Sequence, residues 1–90
     1  MMTFRPEDMT LELALLCEVG GMWEEAATIW THLGRQHRTV PAWRKAAEDH
    51  QMRWELQDAA RCCELAGYPG LADALRAQDA QLRREGASLP

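Results

Sequence analysis

The sequence predicts an all-α fold of four to five helices, arranged as two stacked antiparallel αα-hairpins similar to tetratricopeptide repeats. Apolar residues recur at steps of three and four along most of the chain, which is the spacing of an amphipathic helix. Glycine-containing turns interrupt this pattern at Gly20-Gly21 and at residues 67 to 70. The segments around the two turns resemble each other, as expected for hairpins that bury their apolar faces against one another.

Helix 1 is expected to begin near Glu7 or Asp8, because acidic residues stabilise the positive end of a helix dipole. Asp8 is the expected N-cap, and Thr10 is the alternative. The helix is expected to end at Gly20-Gly21, where glycine adopts a left-handed C-cap at little cost.

Helix 2 is expected to span residues 22 to 36 and to pack against helix 1, because the turn between them is short. Its two alanines allow the helix backbones to approach each other closely. Basic residues at its end, Arg35, His37 and Arg38, suit the negative end of the dipole. The apolar stripe of this helix consists of Trp23, Ala26, Ala27, Trp30, Leu33 and Gly34.

The second hairpin is expected to begin at Pro41, because proline suits the first position of a helix. No Gly or Pro occurs from Ala42 to Ala66, so one long helix fits, but the apolar stripe changes register near Met52-Arg53. A continuous helix and a break at that point are equally compatible with the pattern. The helix that follows the second turn carries Leu71, Ala72, Leu75 and Leu82 on one side.

The two turns are also matched in sequence, since Cys17–Gly21 corresponds to Cys63–Gly67 further along the chain. Their 46-residue separation departs from the ~34-residue period of tetratricopeptide repeats. We therefore expect two hairpins rather than a regular array. The predicted organisation is a single domain over residues 1–90, with a first hairpin at 7–38, a second at 41–84 and a flexible tail at 85–90.

The composition is that of a small globular protein, with 90 residues, 47% hydrophobic residues and a formal net charge of −4. The N-terminal segment lacks the basic start and apolar run of a signal peptide, and no stretch approaches the ~20 apolar residues of a membrane helix. Three cysteines, an odd number, do not form a disulfide framework. We therefore expect a cytoplasmic chain that binds no membrane, and the acidic balance disfavours general DNA binding.

One segment resembles a known protein family over about residues 11 to 45. The pattern consists of Glu18, Gly21, Trp23, Ala26, Ala27, Trp30 and Trp43. It resembles the small bacterial regulators of the ANR type, which are negative regulators of AraC-family activators, and the related PerC-like proteins. The resemblance implies a bacterial regulator that binds a transcription factor. The chain departs from the family after this segment, where Ala47 and His50 stand in place of Arg and Cys.

Two groups of side chains are candidates for contact with a partner. Exposed tryptophans are strong interface anchors, although the helical spacing of Trp23 and Trp30 favours a hairpin core for that pair. The basic cluster on both sides of Pro41 is either a solvated helix end or a site for an acidic surface or a DNA phosphate. The candidate partner-binding residues are Trp30, Arg35, Arg38, Trp43, Arg44, Lys45 and Trp54.

No residue pattern indicates catalysis, a cofactor or a metal. The cysteines and histidines show neither Cys-x-x-Cys nor His-x-x-x-His spacing, and the adjacent Cys62 and Cys63 diverge by about 100° on a helix. No base and orienting group are evident beside a cysteine, as nucleophilic catalysis requires. Cys17 and Cys63 are expected to be small buried hydrophobic residues.

The sequence therefore predicts a small protein–protein interaction module without enzymatic activity, and most simply a bacterial regulator that binds another protein. One alternative is a direct DNA-binding activator of the PerC-like kind, and another is a helical chaperone for a polypeptide exported by type III secretion. A homodimer is compatible with each function, because a chain of this size with four Trp is expected to retain apolar surface that a second copy covers.

Overall fold

The computed structural model describes residues 5 to 87, which form five α-helices after a short 3-10 turn and contain no strand. The all-α prediction is confirmed. The predictions of a loose start and a flexible tail fall partly on residues 1–4 and 88–90, which lie outside the described residues. The helices are α1 (Leu11–Val19), α2 (Trp23–His32), α3 (Gln36–Met52), α4 (Leu56–Leu65) and α5 (Pro69–Ala87).

Each helix packs mainly against its neighbours in sequence, so that the molecule is a stack of helices rather than a bundle around one centre. The principal contacts join α1 to α2, α2 to α3, α3 to α4 and α4 to α5. The resulting shape is elongated, with extents of 52 × 24 × 19 Å. This is the arrangement of helical-repeat proteins, in which each unit contacts only its neighbours.

The four reversals between helices share one backbone geometry. In each, a single residue adopts a positive φ, and the next amide N–H donates to the carbonyl oxygen five residues earlier over 2.8 to 2.9 Å. This pattern is the Schellman C-cap, which usually requires glycine at the left-handed position. The four residues and their φ angles are Gly21 (74°), Gly34 (71°), Trp54 (60°) and Gly67 (92°).

The backbone contains an internal repeat in which α4 is equivalent to α2. The two helices have the same length, and they begin at Trp23 and Leu56. The reversals that follow them, at Gly34 and Gly67, are separated by the same interval. This interval is close to the ~34-residue period of tetratricopeptide repeats. The 46-residue match instead paired the α1–α2 reversal with the α4–α5 reversal, which share a C-cap geometry but not a position in the repeat.

Two predicted helix ends in the first hairpin were wrong. Helix α1 begins only at Leu11, where the hydroxyl oxygen of Thr10 accepts a hydrogen bond from the Leu13 amide at 3.2 Å. Thr10, the alternative N-cap, is therefore the one used. Helix α2 ends at His32, because Gly34 turns the chain instead of extending the apolar stripe. The basic run from residue 35 onward consequently opens α3 and does not close α2.

Pro41 was predicted to start a helix, but it lies inside α3, which begins at Gln36. Proline lacks the amide that would bond to the carbonyl of His37. Since His37 is exposed, water can bond to that carbonyl instead. The break considered near Met52 does occur, so the region predicted as a second hairpin contains three helices, α3, α4 and α5.

The core is continuous along the stack and is built largely from small side chains. Among the residues whose burial the structure describes, eighteen apolar ones are buried: ten are alanines and three are cysteines, which include Cys17 and Cys63 as predicted. Small side chains allow neighbouring helix backbones to approach closely. Trp30 and Ile29 are the largest side chains that are fully buried. Within the described helices, none combines the length and apolar content needed to cross a bilayer.

We expect Trp54→Gly to be more stable than Trp54→Ala by about 1 kcal/mol. Both substitutions remove the same exposed indole, but only glycine adopts the left-handed conformation without strain. Urea unfolding of the two variants measures the difference.

Gly34→Ala is the matched control, because a Cβ at Gly34 would have no atom within 4 Å and would add only backbone strain. We expect this substitution to lower the free energy of unfolding by about 1 kcal/mol. Equal stabilities of Trp54→Gly and Trp54→Ala would show that residue 54 is not held in the left-handed region in solution.

Candidate functional site

Two of the three tryptophans predicted to contact a partner lie in the core. Trp30 is 1% exposed and Trp43 is 8% exposed, so neither is available as a surface anchor. The prediction was wrong for these two because both lie on helix faces that are covered by neighbouring helices. Trp54 is 69% exposed, but it occupies the reversal between α3 and α4.

Trp30 joins the first three helices through polar contacts at its edge. Its indole Nε1 donates a hydrogen bond to Glu18 Oε2 at 2.8 Å. The guanidinium of Arg38 lies 5.3 Å from the Trp30 ring centroid and 3.5 Å from Glu18. Because the contacts come from α1, α2 and α3, they hold the start of the stack together.

The predicted basic cluster is largely engaged within the chain. Besides Arg38, Arg44 stacks over the ring of Tyr68 at 5.5 Å, and Lys45 pairs with Glu48 at 3.6 Å. Arg35 is exposed at the start of α3. The structure therefore distributes these side chains over several contacts and does not assemble them into one anion site.

A polar network that the sequence did not predict joins α2, α3 and α4. His50 on α3 contacts a carboxylate with each ring nitrogen. Its Nε2 lies 2.6 Å from Glu24 Oε1 on α2, and its Nδ1 lies 3.0 Å from Glu55 Oε1 at the start of α4. The imidazole thus bridges two acidic groups that are distant in the sequence.

Helix α4 adds two further donors to Glu24. The Arg61 guanidinium lies 2.9 Å from Glu24 Oε1, and the Cys62 thiol donates to the same oxygen at 3.3 Å. Cys62 is fully buried, whereas Arg61 is exposed. Beside the network lies a cavity of about 190 Å³, whose lining includes Glu24, His50 and Arg53.

The contacts in this network shift the pKa values of Glu24, His50 and Glu55 so that the charged form of each group is favoured. Burial alone would raise the pKa of Glu24, but hydrogen bonds from His50 and Cys62 and the charge of Arg61 outweigh it and lower the pKa. Burial would lower the pKa of His50, but the hydrogen bonds to Glu24 and Glu55 raise it. The hydrogen bond from His50 also lowers the pKa of Glu55.

Cys62 differs from its neighbours because burial, followed by its contact with Glu24, raises the pKa of its thiol to about 12. Only the thiolate is strongly nucleophilic. A buried thiol of this kind is poorly suited to nucleophilic catalysis. As a thiol it donates a hydrogen bond to Glu24. A metal ion that displaced its proton could also bind it, since donor atoms of Glu24, His50 and Cys62 all lie within 4.8 Å of one another.

Sequence spacing could not reveal this group. The expectation of no metal site rested on ligand spacing within single segments, which detects two ligands on one helix or loop. Here each donor comes from a different helix, and the helices are brought together by the reversals at Gly34 and Trp54. The one feature of the sequence that could have drawn attention to this group is His50, which lies among charged residues close to Met52-Arg53, where the apolar stripe changes register.

Besides the polar network, the structure shows an apolar surface that the sequence did not single out, the outer face of α1. Leu11, Leu15, Leu16 and Val19 are all exposed there, with Leu16 at 66% and Val19 at 88%. Their buried counterparts, Ala14 and Cys17, face α2 in the core. This helix is therefore apolar on both sides and is covered on only one.

The part of the chain that carries this apolar face is acidic. No Lys or Arg occurs from residue 6 to residue 34. The same segment contains Glu7, Asp8, Glu12, Glu18, Glu24 and Glu25. Glu12 is exposed on the same side of α1 as Leu16.

Comparison with known proteins gives no identification of the chain. No protein-family model matches it, and no curated protein and no solved structure matches it either. The resemblance to ANR-type and PerC-like regulators accordingly stays a prediction.

In the metal-free protein, we expect the stabilisation contributed by Glu24 and His50 to be greatest between pH 4.5 and 6.5, the ordinary pKa values of Glu and His. Because the pKa of His50 is raised in the folded state, this residue contributes to the free energy of unfolding fully below pH 6.5. That contribution is lost as the pH rises through the folded-state pKa of His50. Because the pKa of Glu24 is lowered in the folded state, this residue contributes to the free energy of unfolding fully above pH 4.5. That contribution is lost as the pH falls through the folded-state pKa of Glu24.

Thermal unfolding in the presence of a chelator, over about pH 4 to 9, measures this window. His50→Gln should lower the free energy of unfolding by about 1 to 3 kcal/mol near pH 6. It should also remove the decrease in stability that the unmodified chain shows as the pH rises above 6.5. The exposed His32→Gln is the control. An alkaline loss of equal size in His50→Gln would contradict the assignment.

Proposed function

We propose that this chain is a protein-binding helical-repeat module whose docking surface is the outer face of α1. The observation that carries the proposal is the exposure of Leu11, Leu15, Leu16 and Val19 on a helix whose opposite face is already buried. Seven of the nine residues of α1 are apolar, and a helix with this much apolar surface is normally covered on more than one side. Contiguous exposed apolar surface of this kind marks interaction sites in folded proteins.

The occupant we propose is an amphipathic helix of a partner protein, with basic residues beside its apolar face. A helix can lie along the apolar stripe of α1, as in helix-in-groove recognition. Glu12 on the exposed side of α1, with Glu7 and Asp8 just before the helix, would attract basic side chains and steer their approach. A second copy of α1 would be less suitable, because it would bring like charges such as Glu12 close together.

A protein partner is favoured over DNA by the state of the basic side chains. Arg38 is paired with Glu18, Lys45 is paired with Glu48, and Arg44 stacks on Tyr68. DNA affinity depends on cations that neutralise phosphates, and here these groups have partners within the chain. A role as a bacterial regulator that binds a transcription factor is the narrower form of this proposal, and it rests on the family resemblance.

We expect a designed amphipathic helix of Leu and Lys to bind the protein, and the double variant Leu16→Gln, Val19→Gln to bind it at least about 10-fold more weakly. The two substitutions remove exposed apolar groups without adding charge. Fluorescence anisotropy of the labelled peptide gives the affinity. Glu12→Lys tests the charge contribution separately and should weaken binding most at low salt.

The matched control is Leu71→Gln, Leu82→Gln, which removes two exposed leucines from α5 at the other end of the stack. This variant should bind as the unmodified chain does. Three outcomes would contradict the proposal: equal binding of a Leu-Glu peptide, equal loss in the α5 control, or self-association that the α1 variant abolishes. Sedimentation of each variant distinguishes the last.

A further inference from the structure

We infer that Glu24, His50 and Cys62 bind a single zinc ion, with one ligand from each of α2, α3 and α4. Glu24 Oε1 lies 2.6 Å from His50 Nε2 and 3.3 Å from Cys62 Sγ. The donor atoms of the three side chains all lie within 4.8 Å of one another. This site is independent of the α1 surface, since none of its ligands belongs to that helix.

The three donors have the chemistry that zinc prefers. Zinc in proteins is bound by thiolate, imidazole and carboxylate groups, with three protein ligands and one water in open sites. Cys62 is fully buried, so its sulfur would be shielded from oxidation and from bulk solvent. A hard cation such as Mg²⁺ would not favour a site with a thiolate.

The contacts are close to those of a tetrahedral centre. Bonds of about 2.0 to 2.3 Å to zinc place neighbouring ligand atoms about 3.3 to 3.7 Å apart. The contact between Glu24 and Cys62 already has this length. The shorter contact between Glu24 and His50 would open by about 0.7 Å, which a side-chain rotation supplies. Water in the adjoining cavity can take the fourth position.

The surroundings of His50 also fit a zinc ligand. Its Nδ1 lies 3.0 Å from Glu55 Oε1, so that the nitrogen not facing the site is fixed by a carboxylate. Metal-binding histidines almost always donate their other N–H in this way, which sets the ring orientation and the tautomer. Glu55 therefore acts as a positioning residue rather than as a ligand.

A second group of donors, His50, Glu55 and Asp58, is less suitable. Its two carboxylates are exposed, and it contains no sulfur. It would also take Glu55 away from its contact with Arg53. We therefore assign the ion to the side of the imidazole that faces Glu24 and Cys62.

Binding exchanges protons for the metal ion. Zinc replaces the thiol proton of Cys62 and requires neutral His50, so up to two protons leave and two negative ligands neutralise the ion. Arg61, which contacts Glu24, is exposed and can swing away from the cation. Its removal should not weaken binding.

The experiment titrates the reduced, chelator-treated full chain with Zn²⁺ against a chromophoric chelator, and with Co²⁺ as a spectroscopic substitute. We expect one ion per chain, a thiolate-to-cobalt charge-transfer absorption and a higher thermal midpoint with zinc. His50→Ala and Cys62→Ala should each lower zinc affinity by more than about 100-fold, and Glu55→Gln by about 10-fold.

Cys63→Ser is the matched control, because Cys63 is also buried but contributes no donor to this group. It should keep the cobalt absorption that Cys62→Ala loses. Circular dichroism checks that each variant is folded, and Glu24→Gln provides a second test at a partly exposed ligand. Absence of the charge-transfer absorption in the unmodified chain would overturn the assignment, as would its loss in Cys63→Ser or its retention in Cys62→Ala.

Discussion

The structure depends on four left-handed chain reversals, each closed by the same hydrogen bond from an amide to a carbonyl five residues earlier. These reversals fix where each helix ends, and hence which faces meet. Three use glycine, for which the conformation has little cost, and the fourth uses Trp54. The tryptophan is tolerated because the neighbouring helices determine the path of the chain there. If a reversal shifts by one residue, the following helix rotates by about 100° and its apolar stripe leaves the core.

Between the reversals, alanine-lined contacts bring the helix backbones together. Ala26 and Ala27 on α2 and Ala59 and Ala60 on α4 are equivalent positions of the repeat, and all four are fully buried. Small side chains bury little apolar area each, so this core is thin. Polar contacts between helices consequently carry more of the specificity. The Glu24–His50 pair, which ties α2 to α3, shows this.

The sequence predicted the fold class because glycine turns and helical periodicity are local signals. It did not predict the start of α3, because Gly34 also fits the spacing of the apolar stripe of α2. It could not predict the left-handed Trp54, since nothing in a tryptophan marks that conformation. The candidate site was harder to predict from the sequence than the fold. Periodicity does not separate a core tryptophan such as Trp43 from an interface one, and spacing does not detect donors from three helices.

The stacked arrangement makes the chain a nearly one-dimensional cooperative system. Because each helix packs mainly on its sequence neighbours, α1 and α5 each have one principal contact, while α3 has two. The backbone amides of α1 and α5 should therefore exchange with solvent through local openings that leave α3 folded. A ligand bound across α2, α3 and α4 would protect that central segment and leave the ends to open independently. Amide protection would then rise from both ends of the chain towards its middle.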